Sequence, residues 1–330
     1  MTAATTRRTV LKTIGAGGFI LAIGSAKAAE HVKILFEFDP AQGQFPENLA
    51  IDPRGTIYLG IATIGQLWKI ARGSDTPEVL ASFEVGDQFG ILGVNVNARG
   101  TVHLCLLTGV GEGDDSADTH GIWQVERDGT KSLYAALPTD TFPNDLTPFR
   151  DGFLVSDTTA GAIWYVTEGN ATPWVVSDLL TGTGDFDFGF PLGANGLVSC
   201  RDSAIYVVVT ERDYLARIPV NRDGSAGTPE VYAQDPQLVG GDGITLDNRG
   251  NFYVAVIGQN TVVRVNRDRS VDTLATAEDG LDGPSDVAFG TTGGDQKSLF
   301  ITNFAFLTPE NQKPGLAKLD VGVPGRPMTG

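Results

Sequence analysis

The residues best suited to chemistry recur at one position of a short phrase that the chain repeats six times. The phrase reads Pro46-Glu47-Asn48-Leu49-Ala50-Ile51, then Ile91-Leu92-Gly93-Val94-Asn95-Val96, then Pro143-Asn144-Asp145-Leu146-Thr147-Pro148. It returns as Ala194-Asn195-Gly196-Leu197-Val198-Ser199, Gly241-Asp242-Gly243-Ile244-Thr245-Leu246 and Pro284-Ser285-Asp286-Val287-Ala288-Phe289. Its second position holds Glu47, Leu92, Asn144, Asn195, Asp242 and Ser285. Two carboxylates and two amides at equivalent positions face one axis if the repeats are arranged around it. Buried carboxylates that lie close together are costly unless a cation or protons offset them. An oxygen-only set of this kind suits a hard divalent ion, first Ca²⁺, which takes about 6–8 oxygens with water completing the shell. Mg²⁺ or Mn²⁺ remain open, whereas a Cys/His zinc site does not fit. A water-filled channel of hydrogen-bonded side chains is the competing reading.

The elements that must position these residues follow from the period. Copies lie about 43 to 52 residues apart, the length of a four-stranded propeller blade. After most copies comes a polar turn, such as Asp52-Pro53-Arg54-Gly55 or Asp247-Asn248-Arg249-Gly250, and then a β-rich run such as Thr56-Ile57-Tyr58-Leu59. A third run follows, such as Leu67-Trp68-Lys69-Ile70, and in five repeats a fourth, such as Pro77 to Phe83. The sixth repeat lacks a fourth run, and an unassigned one, Val32 to Phe38, stands before the first phrase. Pairing the two closes a ring and removes an open sheet edge. The expected fold is therefore all-β: a six-bladed β-propeller, four strands per blade, closed by the N-terminal strand. An irregular β-sandwich would explain neither the period nor the displaced strand.

Bulk composition agrees. The chain has 330 residues, 42 of them glycine, and a formal charge of −16. Such acidity argues against nucleic acid or an anionic membrane as partner and favours cations. Residues 1–28 read as a twin-arginine export signal. Thr6-Arg7-Arg8-Thr9-Val10-Leu11-Lys12 is followed by an apolar stretch and by Ala26-Lys27-Ala28, a small-x-small cleavage site. The alternative, an uncleaved anchor, meets an apolar stretch short of the ~20 residues a spanning helix needs. The expectation is an exported chain, periplasmic or secreted, with residues 29–330 forming the propeller and no membrane attachment after cleavage. Cys105 and Cys200 are too few for a disulfide framework and read as two free thiols, one bridge between them being the alternative.

Taken together, the phrases resemble the senescence marker protein/gluconolactonase family, also called regucalcin-like. The nearest passages are Gly193-Ala194-Asn195-Gly196-Leu197, Gly241-Asp242-Gly243-Ile244 and Gly283 to Gly290. The resemblance implies one divalent metal held by Glu47, Asn144, Asn195 and Asp242, with Asp242 as general base or nucleophile in ester or lactone hydrolysis. Two departures matter. Asn48 stands where the family's Glu is usually followed by Gly. Phe142 stands where sugar-lactonase members often carry an Arg that contacts substrate. With Phe188 and Phe190 in the loop 184–190, Phe142 points to a small but more apolar substrate, although these rings could equally pack between blades. His120 is a candidate for proton transfer at the channel mouth or a solvated loop residue; His103 reads as packing. The acidic run 111–118 lacks EF-hand spacing and reads as a solvated loop. A non-catalytic binding propeller and a lyase or synthase remain the competing functions, since fold alone does not settle function.

Overall fold

A computed structural model describes residues 32–85, 89–108, 119–200, 203–307 and 310–326. The export signal, His31 and the acidic run 111–118 lie outside the described residues. The chain forms the expected six-bladed β-propeller, with six four-stranded antiparallel sheets. Strand β1 (Lys33–Glu37) comes first and belongs to the last blade. Blade one is β2 (Pro46–Ile51), β3 (Ile57–Ile61), β4 (Gln66–Ile70) and β5 (Glu78–Ser82). Blade two is β6 (Ile91–Val96), β7 (Val102–Leu106), β8 (Gly121–Val125) and β9 (Lys131–Ala136). Blade three is β10 (Pro143–Phe149), β11 (Gly152–Asp157), β12 (Ala162–Thr167) and β13 (Asn170–Val176). Blade four is β14 (Ala194–Cys200), β15 (Ala204–Val209), β16 (Tyr214–Pro219) and β17 (Glu230–Gln234). Blade five is β18 (Gly241–Leu246), β19 (Phe252–Val256), β20 (Thr261–Val265) and β21 (Val271–Ala275). Blade six is β22 (Pro284–Phe289), β23 (Ser298–Asn303) and β24 (Gly315–Asp320), completed by β1, which pairs with β24 from Lys33↔Lys318 to Glu37↔Gly315.

The turn after the inner strand has a local cause. Asp52 Oδ1 accepts the N–H groups of Arg54 and Thr56, both at 2.9 Å, and Gly55 takes φ +84°. Asn97 and Asp247 repeat the device in blades two and five. An Asx turn of this kind fixes the hairpin, and its left-handed residue favours glycine. The second strands supply the core. Leu59, Leu104, Val155, Val207, Val254 and Ile301 occupy equivalent places and are all fully buried. Six apolar clusters result, each between two neighbouring blades, including one that joins blade six to blade one. Burying each such side chain contributes about 1.5–3 kcal/mol.

The inner strands share one irregularity that decides where the site lies. The ladder to the second strand skips just after the first residue of every inner strand. The breaks fall between Pro46 and Asn48, Ile91 and Val94, Pro143 and Leu146, Ala194 and Leu197, Gly241 and Ile244, and Pro284 and Asp286. A bulge re-aims the side chain that it releases from the ladder. The residues released include the phrase's second position in every blade.

Candidate functional site

Glu47, Asn144, Asn195 and Asp242 all stand on these bulges, at the same end of four inner strands, and all four are buried. Leu92 and Ser285 fill the two remaining places. Ser285 takes no part in a donor set: its hydroxyl donates to the Glu47 carbonyl and contacts Thr302 Oγ1 at 2.9 Å. The Asn195 amide nitrogen donates to Thr210 Oγ1 at 3.0 Å, and the amide also hydrogen-bonds the Asp242 carboxylate. With its N–H groups so engaged, Asn195 presents Oδ1 as its ligating atom. Glu47 Oε2 is buried with no hydrogen-bond partner.

The next position of the phrase adds two acids that the second-position pattern did not single out. It holds Asn48, Gly93, Asp145, Gly196, Gly243 and Asp286. The three with side chains brace one blade to the next. Asn48 Oδ1 accepts the Val94 N–H at 2.9 Å, Asp145 Oδ2 that of Leu197 at 3.0 Å, and Asp286 Oδ2 that of Leu49 at 3.0 Å. Asn48, a departure from the family pattern, thus ties blade one to blade two. The glycines are where the neighbouring inner strand comes too close for a side chain. A Cβ on Gly93 would lie 2.6 Å from Asp145 Cα, and one on Gly243 would lie 2.7 Å from Asp286 Cα.

Four carboxyls consequently share the channel: Glu47, Asp242 and Asp286, which are buried, and Asp145, which is half-buried. Burial pushes Glu47 well above the usual carboxylate range, and Asp242, Asp286 and Asp145 push it further. Asp242 is raised to about 8, by burial first and then by Asp145, against the hydrogen bond from Asn195. Burial raises Asp145 to about 7, while the N–H groups of Leu197 and Leu146 pull it back. Asp286 is raised by burial and by Asp145 and Asp242. No lysine or arginine is among the groups acting on these four.

Among the described residues, no three His, Cys, Asp or Glu side chains converge on one point as a metal site. A cation held here would need the amide oxygens of Asn144 and Asn195 beside the carboxylates of Glu47 and Asp242. The chemistry fits that group. An orphaned buried carboxylate oxygen, an amide turned to present its oxygen and an uncompensated acidic cluster each favour an oxygen-ligated cation.

Aromatic rings crowd the end of the channel where the inner strands begin. Phe142 immediately precedes β10, is buried in the cluster between blades two and three, and packs on Phe190 at 5.4 Å. Phe188 lies 6.3 Å from Phe190 and is 37% exposed. Glu211 holds their loop, accepting the N–H groups of Gly184 and Phe186. A second group, outside the sequence expectation, faces blades one, two and six. Phe45 precedes β2, Phe89 lies two residues before β6, and Phe304 follows β23. Phe306 joins them, 4.9 Å from Phe89, 5.6 Å from Phe45 and 5.4 Å from Phe304. Phe45 could have been found in the sequence, because like Phe142 it is an aromatic directly before the proline of a phrase.

His120 is not solvated. It is fully buried; Nδ1 accepts the Thr108 N–H at 3.3 Å, and Nε2 lies 3.1 Å from Thr141 Oγ1. Burial lowers its pKa, so it is a neutral structural link between blades two and three. His103 packs on Phe153 at 4.6 Å and Tyr134 at 5.0 Å, as expected. Both cysteines are free. An open cavity of about 770 Å³ lies at the opposite end of the channel, where Asn48, Asp145 and Asp286 form its floor.

Comparison with known proteins places the chain. Residues 192–305, from just before β14 to just after β23, match the family described as SMP-30/Gluconolactonase/LRE-like region. The resemblance read from the motifs therefore holds over that region. The matched region contains Asn195 and Asp242; Glu47 and Asn144 lie outside it. No curated protein matches the chain. Among solved structures, the calcium-binding protein regucalcin from Agrobacterium tumefaciens is 19% identical with a TM-score of 0.64, over 90% of this chain and 96% of that one. A gluconolactonase from Xanthomonas campestris is 17% identical with a TM-score of 0.62, over 89% of each chain. Virginiamycin B lyase from Staphylococcus aureus is 13% identical with a TM-score of 0.57, over 82% of each. At these identities the likeness is one of fold.

Proposed function

We propose that the chain is a metal-dependent hydrolase of the lactonase or esterase type, acting on a small apolar ester or lactone. One observation carries the proposal: a buried Glu47 carboxylate oxygen without a partner, beside Asp242 and two further acids that no basic side chain acts on. Glu47, Asn144, Asn195 and Asp242 would hold one divalent ion, first Ca²⁺, with Mg²⁺ or Mn²⁺ as alternatives. When bound, the ion supplies a positive charge that polarises the substrate carbonyl and favours ionised carboxylates.

The chain's own residues do the rest. Ionised Asp242 accepts a proton from the attacking water and returns it to the leaving alkoxide, so an ester and water give an acid and an alcohol. Asn195 orients Asp242 through its amide. Phe188 and Phe190 in one aromatic group, and Phe89 and Phe306 in the other, are partly exposed and would receive the apolar part of the substrate. The presence of Phe142 in place of an arginine agrees with an acyl or aryl group rather than a polyhydroxylated sugar.

The test is metal content and hydrolysis of a panel of lactones, aryl esters and organophosphates by the purified protein, with and without chelator. One bound divalent ion and chelator-sensitive turnover, lost in Asp242→Asn, is the expected result. Bound metal without turnover on any substrate would favour a binding propeller or a lyase, and a protein that binds no metal would overturn the site.

The same proposal includes export through the twin-arginine signal of residues 1–28. Sequencing the N-terminus of the exported chain should begin at Ala29, and a chain that retains Arg7 and Arg8 in the mature protein would refute cleavage.

A further inference from the structure

Basic residues are in the minority here, 24 against 40 acidic ones, yet five arginines converge on one cleft. Arg217, Arg249, Arg267, Arg269 and Arg326 line a cavity of about 660 Å³ between blades four and five, at the end of the propeller away from the proposed hydrolytic site. Each arrives by a different route. Arg217 lies on β16 and pairs with Glu230 at 2.8 Å. Arg249 is in the turn after β18, which Asp247 fixes. Arg267 and Arg269 come from the turn between β20 and β21, and Arg269 lies over the Tyr232 ring at 5.3 Å.

Arg326 is brought from another blade. After β24 the chain crosses beneath blade five: Asn248 N–H donates to Pro324 O at 3.1 Å and Arg326 N–H to Leu246 O at 3.1 Å. The Arg326 guanidinium then donates to Ser199 O on blade four at 3.0 Å. The C-terminal segment thus anchors a cation at the cleft.

The carboxylates present do not neutralise the group. Two acids line the cleft. Glu230 is taken by Arg217. Asp247 is buried and already accepts from Arg249 N, Asn251 N and Nδ2, and Tyr253 OH. Arg249 and Arg267 are exposed and have no carboxylate partner among the described residues. A cavity of small-molecule size, walled by guanidinium groups on a strongly acidic protein, selects a compact multivalent oxyanion.

We propose that this cleft binds a phosphate-type oxyanion, free or as a phosphate monoester. The cleft shares Leu246, Asn248 and Arg326 with the cavity at the far end of the channel, but none of Glu47, Asn144, Asn195 and Asp242 lines it, so its failure leaves the hydrolase reading untouched, and the reverse holds too. The test is calorimetric titration of the purified protein with inorganic phosphate, pyrophosphate and phenyl phosphate at constant ionic strength. Saturable binding is expected, weakened about tenfold or more in Arg249→Ala/Arg267→Ala and unchanged in Arg99→Ala, which removes an exposed arginine from blade two. Arg249→Lys/Arg267→Lys should fall between wild type and the alanine pair, since lysine keeps the charge and loses the fork. Tighter binding of phenyl phosphate than of phosphate assigns an ester, and the reverse assigns the free ion; either upholds the site. No heat of binding to any of the three, or equal binding by wild type and the alanine pair, overturns it.

Discussion

Asp286 Oδ2 accepts the main-chain N–H of Leu49 at 3.0 Å, so the last blade grips the first through the floor of the channel, across 237 residues of sequence. The bond joins the two ends of the ring inside, while β1 and β24 join them outside. Its acceptor is also one of the four crowded carboxyls, so charge and hydrogen bond can be separated by mutation. Asp286→Asn keeps an acceptor and removes the charge; it should hold or raise the thermal midpoint of the metal-free protein at pH 8. Asp286→Ala leaves the Leu49 N–H buried and unpaired, and should cost about 1–3 kcal/mol. Thermal unfolding of both variants decides; equal midpoints would deny the inner tie.

The raised carboxyls fix the direction of pH dependence. Asp145 keeps its proton to about 7 and Asp242 to about 8, both mainly through burial. In the unfolded chain an aspartate releases its proton near ~3.9. Between those limits the native state binds more protons than the unfolded state, and stability falls as pH rises. The metal-free protein should therefore lose stability progressively from about pH 4 to about pH 8 on account of these groups. Asp145→Asn should flatten the slope, and a divalent cation should stabilise more at pH 8.5 than at pH 5. Midpoints that climb through this window in chelator would contradict the crowding.

Much of this site was legible because the propeller repeats. The six phrases carried the inner strands, and Val32 to Phe38 could be assigned to blade six only because that blade lacked a fourth run. The second position named Glu47, Asn144, Asn195 and Asp242 because side chains on an axis stand out against five other copies. Asp145 and Asp286 were harder to see: an acid in a turn-like Asn-Asp or Ser-Asp pair looks solvated until the bulge buries it. The structure shows why the third position holds either a bracing side chain or glycine. Each blade either reaches across to the next inner strand or yields room for it. His120 misled for the opposite reason. It follows a polar, acidic run, but it stands immediately before β8 and is buried, and Thr108 and Thr141 hold both ring nitrogens. Nothing in local composition distinguishes the two fates.

Glu47 and Asp242 should separate cation binding from stability. Glu47→Gln removes a buried charge and an unpaired anionic oxygen, so the metal-free protein should become more stable at pH 8. The same change should weaken divalent-ion binding about tenfold or more, because an amide replaces one of two carboxylate ligands. Asp242→Asn should act alike on binding and stability, and in addition lower kcat/KM by about 10²–10⁴, the range for loss of a general base. Calorimetric ion titration beside thermal unfolding reads both quantities. A variant that loses stability and keeps full ion affinity would remove its residue from the donor set.

The aromatic rim should govern which acyl group is taken. Phe306 is half-buried and at the edge of the cluster with Phe45, Phe89 and Phe304. Phe306→Ala should leave the fold in place and raise KM for aryl or long-chain esters several-fold, with little effect on an acetyl ester, since about 1–2 kcal/mol of apolar contact is lost only by the larger substrate. Phe142→Ala should behave differently. That ring is 6% exposed and sits in the cluster between blades two and three, so its loss should cost about 3–5 kcal/mol of stability. If Phe142 also receives substrate through Phe190, the folded variant should share the KM penalty; if it only packs, KM should stay unchanged while the midpoint falls. Kinetics on a homologous series of esters, run well below the variant's midpoint, distinguish these cases. Equal selectivity in Phe306→Ala and wild type would remove the rim from substrate choice.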